Sequence, residues 1–204
     1  MKNGIRILKM IALLVIFQSC NTSSKEEQVV EKEETRSFME IISVIPDIKL
    51  PYTMRCGIEG QYPDADELGS DIVKMFPEIS VIVGKLPIKN DKVYILYGVV
   101  GDIISPHLNI YDRNGNKINS LYLHISYCGF GYDENEEMEF YMNSVTTINK
   151  DFSIHMSDTT VFHYDVEDSP NYGKDTTIVK TREMNLTQDG YYKITKETRR
   201  QIKP

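Results

Sequence analysis

The sequence predicts a mainly β domain, an antiparallel β-sandwich or a stack of hairpins with one short helix, behind a leader and a flexible tether. Three observations predict it. From about residue 38 onward the apolar residues alternate or fall in short runs, with Gly, Asn and Asp between them. Those runs are rich in Val, Ile, Thr, Tyr and Phe, the side chains that fit a half-buried pleated surface. No long stretch repeats its apolar residues at helical spacing.

The 204 residues suffice for one domain of ordinary size with extensions at its ends. Hydrophobic content of 41% and charged content of 26% supply enough apolar surface for most of the chain to fold. In chain order the first element is an address. Residues 1–19 carry Lys2, Arg6 and Lys9 and no acid. Met10 to Phe17 is an unbroken apolar stretch, the size of the central part of an export signal. A membrane-spanning helix needs about twenty apolar residues, and Lys9 keeps this stretch well short of that. Without residues 1–19 a chain of net charge -7 loses three positive charges and stands near -10. That balance repels phosphate backbones and argues against a nucleic-acid partner.

Phe17-Gln18-Ser19-Cys20 resembles a lipobox, the cleavage motif of bacterial lipoproteins. It has a bulky apolar residue, then a small residue before the cut, then Cys. Phe at the first place and Gln at the second depart from the commonest pattern and are similar to the looser motifs of Bacteroidetes lipoproteins. The resemblance implies diacylglycerol on the Cys20 sulfur, acylation of the new amino terminus, and a membrane partner held through lipid. Each buried methylene contributes about 0.8 kcal/mol and one chain anchors only marginally, so two or three make a durable anchor. A plain secretory signal with a chance Cys is the alternative.

Residues 20–37, the lipidated Cys and tether, are polar apart from Val29 and Val30 and cannot bury enough surface to offset chain entropy. As a flexible coil they would span about 20–25 Å. Ser24-Lys25-Glu26-Glu27 resembles the acidic signals that send Bacteroidetes lipoproteins to the outer face of the outer membrane. Cell-surface display is the expectation, with periplasmic display the alternative.

Residues 38–204 are expected to form the β-rich domain, with strands over 79–86, 93–100, 108–112, 117–126, 138–142, 152–156, 161–164, 177–186 and 191–198. A short helix should start at Asp64, capped with help from Glu67, bury Leu68, Ile72 and Met75 or Phe76, and end at Pro77. Asp112-Arg113-Asn114-Gly115-Asn116 separates two alternating runs. A type I′ turn there pairs Leu108 with Leu121 and Asp112 with Lys117, whereas a type I turn with a Gly bulge slips the pairing by one. Leu123 and Ile125 continue the apolar face, and Tyr122, His124 and Ser126 face the other way. Thr187-Gln188-Asp189-Gly190 fits a type I turn with a Gly bulge, which sets Met184 and Leu186 opposite Ile194 and Tyr192. The polar end from Lys196 should fray. A propeller-like fragment is the rival to the sandwich, but no repeat supports an array.

Cys56 and Cys128 remain once Cys20 carries lipid. In an exported domain this even pair permits a disulfide closing a loop of about 70 residues, worth at most about 4 kcal/mol in the chain-entropy model. Two separate buried thiols are the other reading. Two cysteines do not make a zinc site.

Motifs for chemistry are scarce. There is no nucleophile elbow, zinc-protease helix, phosphate loop or dinucleotide fingerprint, so no cofactor is implied. His155 and His163 fall on separate strands, and His124 reads as a polar-face residue. The acidic run from Asp133 to Glu137 could attract a hard cation but lacks EF-hand spacing and reads as a solvated loop. Tyr111 and Tyr122, if exposed, could stack on sugars or on a partner protein, although Tyr is also simply a good strand residue. Absence of Trp weakens the sugar reading. The expectation is a membrane-anchored envelope lipoprotein presenting a binding or assembly module to an envelope protein or glycan. The alternatives are a small envelope hydrolase using Asp102, Asp133 or Glu134 with His107 or His124, and a subunit of an outer-membrane complex.

Overall fold

The structure is a computed structural model, and it describes residues 36–56, 58, 60–76, 80–101, 104–125, 128–132, 138–164 and 172–202. Residues 1–35, which hold the expected leader, Cys20 and most of the expected tether, lie outside the described residues.

Among the described residues two short α-helices, a 3-10 turn over Ile42–Val44 and ten strands follow one another. The helices and strands are α1 (Phe38–Ile41), β1 (Tyr52–Arg55), α2 (Ser70–Val73), β2 (Ser80–Lys85), β3 (Val93–Val99), β4 (Ser105–Tyr111), β5 (Lys117–Tyr122) and β6 (Gly129–Tyr132). After them come β7 (Glu139–Ile148), β8 (Ile154–His163), β9 (Thr176–Leu186) and β10 (Tyr192–Ile202). The strands make two antiparallel sheets. Sheet A is the meander β2-β3-β4-β5. Sheet B has the order β1-β7-β8-β9-β10, with β6 also paired to β7.

The sheets pack as a sandwich because each offers an apolar face. Tyr94, Leu96, Leu108 and Ile110 of sheet A meet Met54, Ile148, Ile154, Met156 and Met184 of sheet B in one buried cluster. The opposite face of sheet A, with Ile82, Val93, Ile95 and Tyr97, is covered by a thin helical layer supplying Ile42, Ile45, Ala65, Ile72 and Phe76. Sheet A is therefore covered twice. That is why β3 reads as a nearly continuous apolar run, buried from Val93 to Gly98, rather than as an alternation. The chain from Pro46 to Ile48 runs tight along β2, and a Cβ at Gly84 would lie 2.6 Å from the Pro46 carbonyl oxygen. Only glycine fits there.

Both hairpins anticipated in the sequence form. Leu108 pairs with Leu121. The turn is the Gly-bulge variant: Gly115 has φ +88°, and the Asp112 carboxylate accepts from the Asn114 and Asn116 amides at 2.9 Å. A bulge between Ile110 and Tyr111 absorbs the slip, so Tyr111 rather than Asp112 faces Lys117. In the last hairpin Tyr192 faces Leu186 and Ile194 faces Met184, as expected.

The expected helix keeps its buried face but not its start. Asp64 bridges to Val81 and the Ala65 amide bonds the Ser80 carbonyl at 3.1 Å. Those backbone groups are spent on sheet A, so the helix begins only after Gly69. A capping box forms elsewhere, between Ser37 and Glu40 at the head of α1. Sheet B also departs from expectation. The separate strands expected over 152–156 and 161–164 are one, β8, and β7 runs on to Ile148. The chain from Lys196 does not fray: β10 stays paired to Ile202. Arg182 grips Glu197 at 2.7 Å and the Thr181 and Thr198 hydroxyls meet at 2.7 Å.

Leu108 is fully buried between the sheets and Ile194 is 48% exposed. Leu108→Ala should cost about 2–5 kcal/mol in urea denaturation, through lost contact and the cavity left. Ile194→Ala should cost less than about 1 kcal/mol. Equal costs would mean that the inter-sheet core is misplaced.

Candidate functional site

Alternation along sheet B sorts its residues. Ile154, Met156 and Asp158 of β8 point inward and are buried, while His155, Ser157, Thr159, Val161 and His163 point out. The register carries this division across the sheet. No outward residue belongs to either core cluster, so this face is not part of the fold's apolar interior.

One end of the outer face is aromatic. The pairings Phe130–Tyr141, Tyr141–Val161, Val161–Thr177 and Thr177–Ile202 place these residues in one row across β6, β7, β8, β9 and β10. Four strand spacings make the row about 19 Å long. Phe130 is 66% exposed, Tyr141 45% and Ile202 44%. The Phe130 and Tyr141 rings lie nearly parallel with centroids 6.3 Å apart. Tyr132 adds an edge-on ring 6.1 Å from Phe130, and His163 another 5.5 Å from Tyr141. The His163 Nδ1 sits 2.7 Å from an Asp175 carboxylate oxygen, a contact that orients the ring. β6 itself reads Gly-Phe-Gly-Tyr. A Cβ at Gly131 would meet the Phe140 ring at 2.6 Å, so the glycine admits Phe140 on the inner side while Phe130 and Tyr132 project outward.

The other end is polar. Thr147, His155, Glu183 and Lys196 form a parallel row. The first three line a shallow cleft of about 440 Å³ with Asn149, Ser153 and Asn185. His155 Nδ1 and a Glu183 oxygen are 4.0 Å apart, and Lys196 reaches the same oxygen at 3.6 Å.

The residues singled out in the sequence fall as follows. Cys20, Asp102, Asp133 and Glu134 lie outside the described residues. His107 and His124 are brought together on the helix-facing side of sheet A, with Tyr122 between them. Its ring is 5.0 Å from His107 and 3.8 Å from His124, and Tyr97 stacks on the far side of His107 at 5.3 Å. Tyr122 is 40% exposed, but Tyr111 is only 4% exposed and offers no platform. It packs on Phe38 because the helical layer covers β4 there. Cys56 and Cys128 are both thiols and lie at one place on β7. Among the described residues no three His, Cys, Asp or Glu side chains converge as metal ligands do. The sequence reading did not find Phe130, Tyr132, Tyr141 and His163 as a group. The usable signal was the aromatic–glycine alternation of Gly129-Phe130-Gly131-Tyr132. Comparison with protein-family models, curated proteins and solved structures finds no match to this chain.

Burial, and then the neighbouring His124, hold His107 below the ordinary imidazole range. Its folded form therefore stays neutral at a pH where the unfolded chain, with a midpoint near about 6.5, has begun to take up a proton. The His107 contribution to stability is complete above that pH and is lost as pH falls toward the lower folded midpoint. An NMR titration should place His107 below free imidazole, and His107→Gln should flatten the fall in urea midpoint between pH 7.5 and 5.5 (about two units spanning the imidazole range). A His107 midpoint at or above the free value would contradict its burial.

Proposed function

We propose that this chain is a lipid-anchored envelope protein whose sandwich is a binding module, engaging an envelope protein through the aromatic end of the outer face of sheet B. The observation that carries the reading is the row from Phe130 to Ile202. Its rings stand exposed, grouped and outside the core, and grouped exposed apolar side chains on a folded surface mark interaction sites. Tyr and Phe surrounded by Thr hydroxyls and a fixed imidazole is the mixture that dominates protein interfaces, where rigid aromatic anchors carry most of the energy. A glycan would use the same rings for stacking, but the row has no Trp, so a protein partner is favoured.

The anchor is proposed from sequence: the basic start, the apolar stretch and Phe17-Gln18-Ser19-Cys20. The described body begins at Arg36, which leaves a polar run between it and Cys20. Acyl chains on Cys20 would hold the sandwich at the outer membrane, on the cell-surface side by the reading of Ser24-Lys25-Glu26-Glu27.

In cross-linked pull-downs from the envelope with full-length protein, Phe130→Ala/Tyr141→Ala should lose partner capture by about tenfold or more. Its circular dichroism and Tm should stay close to those of the parent, since both side chains are exposed. Unchanged capture would remove the aromatic row from the function, and capture competed by envelope polysaccharide would replace the protein partner with a glycan. For the anchor, mass spectrometry of the mature amino terminus should find an acylated Cys20, and Cys20→Ala should move the protein out of the membrane fraction. Protease shaving of intact cells then reads the membrane face. A free Cys20 sulfur in the membrane-bound protein would end the lipoprotein reading.

A further inference from the structure

One edge of β7 is occupied along its whole length by β8. The other edge is shared. β1 takes Val145 to Ile148 and β6 takes Glu139 to Met142. Both run antiparallel to β7, so they lie head to tail like one strand with a nick, and Asn143 and Ser144 of β7 face that nick. Cys56 follows β1 and Cys128 precedes β6. Residues 72 positions apart in the chain thus meet at a single point of the sheet.

The contacts at the nick are specific. The Cys56 amide donates to the Ser144 carbonyl at 2.7 Å, continuing the ladder of β1 by one residue. The Ser144 amide donates to the Cys128 sulfur at 3.1 Å, so a sulfur stands where an unbroken strand would offer a carbonyl. The Cys56 thiol donates to the Asn143 side-chain oxygen at 3.3 Å. Cys56 has φ +46°, the left-handed conformation that an ordinary strand residue avoids, so regular strand geometry stops there. Nothing in the pairing of β1 or β6 needs cysteine at either place. What distinguishes cysteine is that two sulfurs side by side can join.

We propose that Cys56 and Cys128 form a disulfide in the exported protein, closing the nick and fastening β6 to β1. The oxidant is a second disulfide, on a small molecule or on a thiol-disulfide oxidoreductase. The Cys56 thiolate attacks one of its sulfurs and expels a thiolate, leaving a mixed disulfide on Cys56. The Cys128 sulfur, giving up its proton, then attacks the Cys56 sulfur and expels the second thiolate. Two protons and two electrons pass from the cysteines to the oxidant, which leaves as two thiols. Burial and the adjacent Cys56 push the Cys128 thiol well above the ordinary range, and the product is the same whichever of the two sulfurs meets the oxidant first. The consequence falls on β6. Among the described strands it pairs with β7 alone, and it carries Phe130 and Tyr132. The bond would hold these rings in place from the end of β6 nearest the core. The pairing does not depend on the binding reading; the oxidising compartment rests on the export reading.

Full-length protein taken from the envelope in detergent, alkylated at once and digested without reductant, should yield the Cys56 and Cys128 peptides linked and lighter by two hydrogens. The same protein reduced and then exposed to oxidised glutathione should regain the link. Absence of the link in both samples overturns the proposal. A link formed with glutathione but absent from the cell-derived protein leaves the pairing intact and counts against export. In hydrogen exchange, reduction should speed the amides of residues 129–132 by about tenfold while leaving β3 unchanged. Cys56→Ser/Cys128→Ser should match the reduced protein. No change at residues 129–132 in a protein shown to be linked would overturn the fastening of β6.

Discussion

The packing of sheet A against sheet B sets everything else, because the two sheets differ in length. Strands β2 to β5 have six or seven residues, whereas β7 to β10 have ten or eleven. The shared core fixes one end of sheet B under sheet A through Ile148, Ile154, Met156 and Met184. The excess of about four residues per strand must then extend about 13 Å past the core. Inside the core, sheet B has one dry and one wet face. Past it, burial among the described residues falls and the composition changes accordingly: β10 is exposed at every position after Tyr192, and the Phe140 and Phe162 rings lie 6.3 Å apart. The aromatic row lies on this overhang, where among the described residues no member of either core cluster lies in the row, so exposing a ring there costs the fold little.

Legibility in the sequence follows the same division. Where a strand is half buried or wholly buried, apolar pattern and turn chemistry locate it. β2, β3 and both hairpins fall where expected, and Leu108 with Leu121 and Ile194 with Met184 pair in the expected register. On the overhang the signal fades, because neither face needs apolar residues. Thr159 and Thr160 break the apolar pattern in the middle of β8, so one strand reads as two. Lys196 to Ile202 reads as a fraying tail, yet each position finds a partner on β9, and Arg182 with Glu197 adds a paired charge that no pattern of apolar residues reports. The helix boundary was hidden for another reason. Asp64 and Glu67 have the right spacing for a cap, but the backbone at Asp64 is claimed by β2, a contact set by tertiary structure alone.

The candidate site was less legible than the fold. Tyr111 and Tyr122 were the tyrosines that strand alternation brought forward, and the helical layer buries the first while the second packs between imidazoles. The rings that stand exposed come from four-residue β6, too short to register as a strand, and from β7. They become neighbours only through the pairing of Phe130 with Tyr141. Likewise Cys56 and Cys128 could be counted in the sequence but not brought together. Their meeting depends on β1 and β6 sharing one edge of β7, which the order of residues does not reveal.

A sheet that overhangs its core has two edges to protect, and this one treats them differently. At β10 the edge is long and open, and it carries Lys193, Lys196, Arg199 and Arg200, charges that oppose pairing with another chain. At the opposite edge the described residues form no long strand. Two short pieces share the work, and a short edge is itself a poor template for a further strand. The division has a cost, since four residues of β6 are held by one neighbour and by whatever happens at the nick. The same piece bears Phe130 and Tyr132, so a device that keeps the edge from pairing also makes the aromatic row depend on how firmly β6 is seated. Rigid placement of exposed rings is what lets them act as anchors without first losing conformational freedom. If the proposed bond forms, the chemistry at Cys56 and Cys128 therefore bears on how firmly the exposed rings are placed as much as on stability.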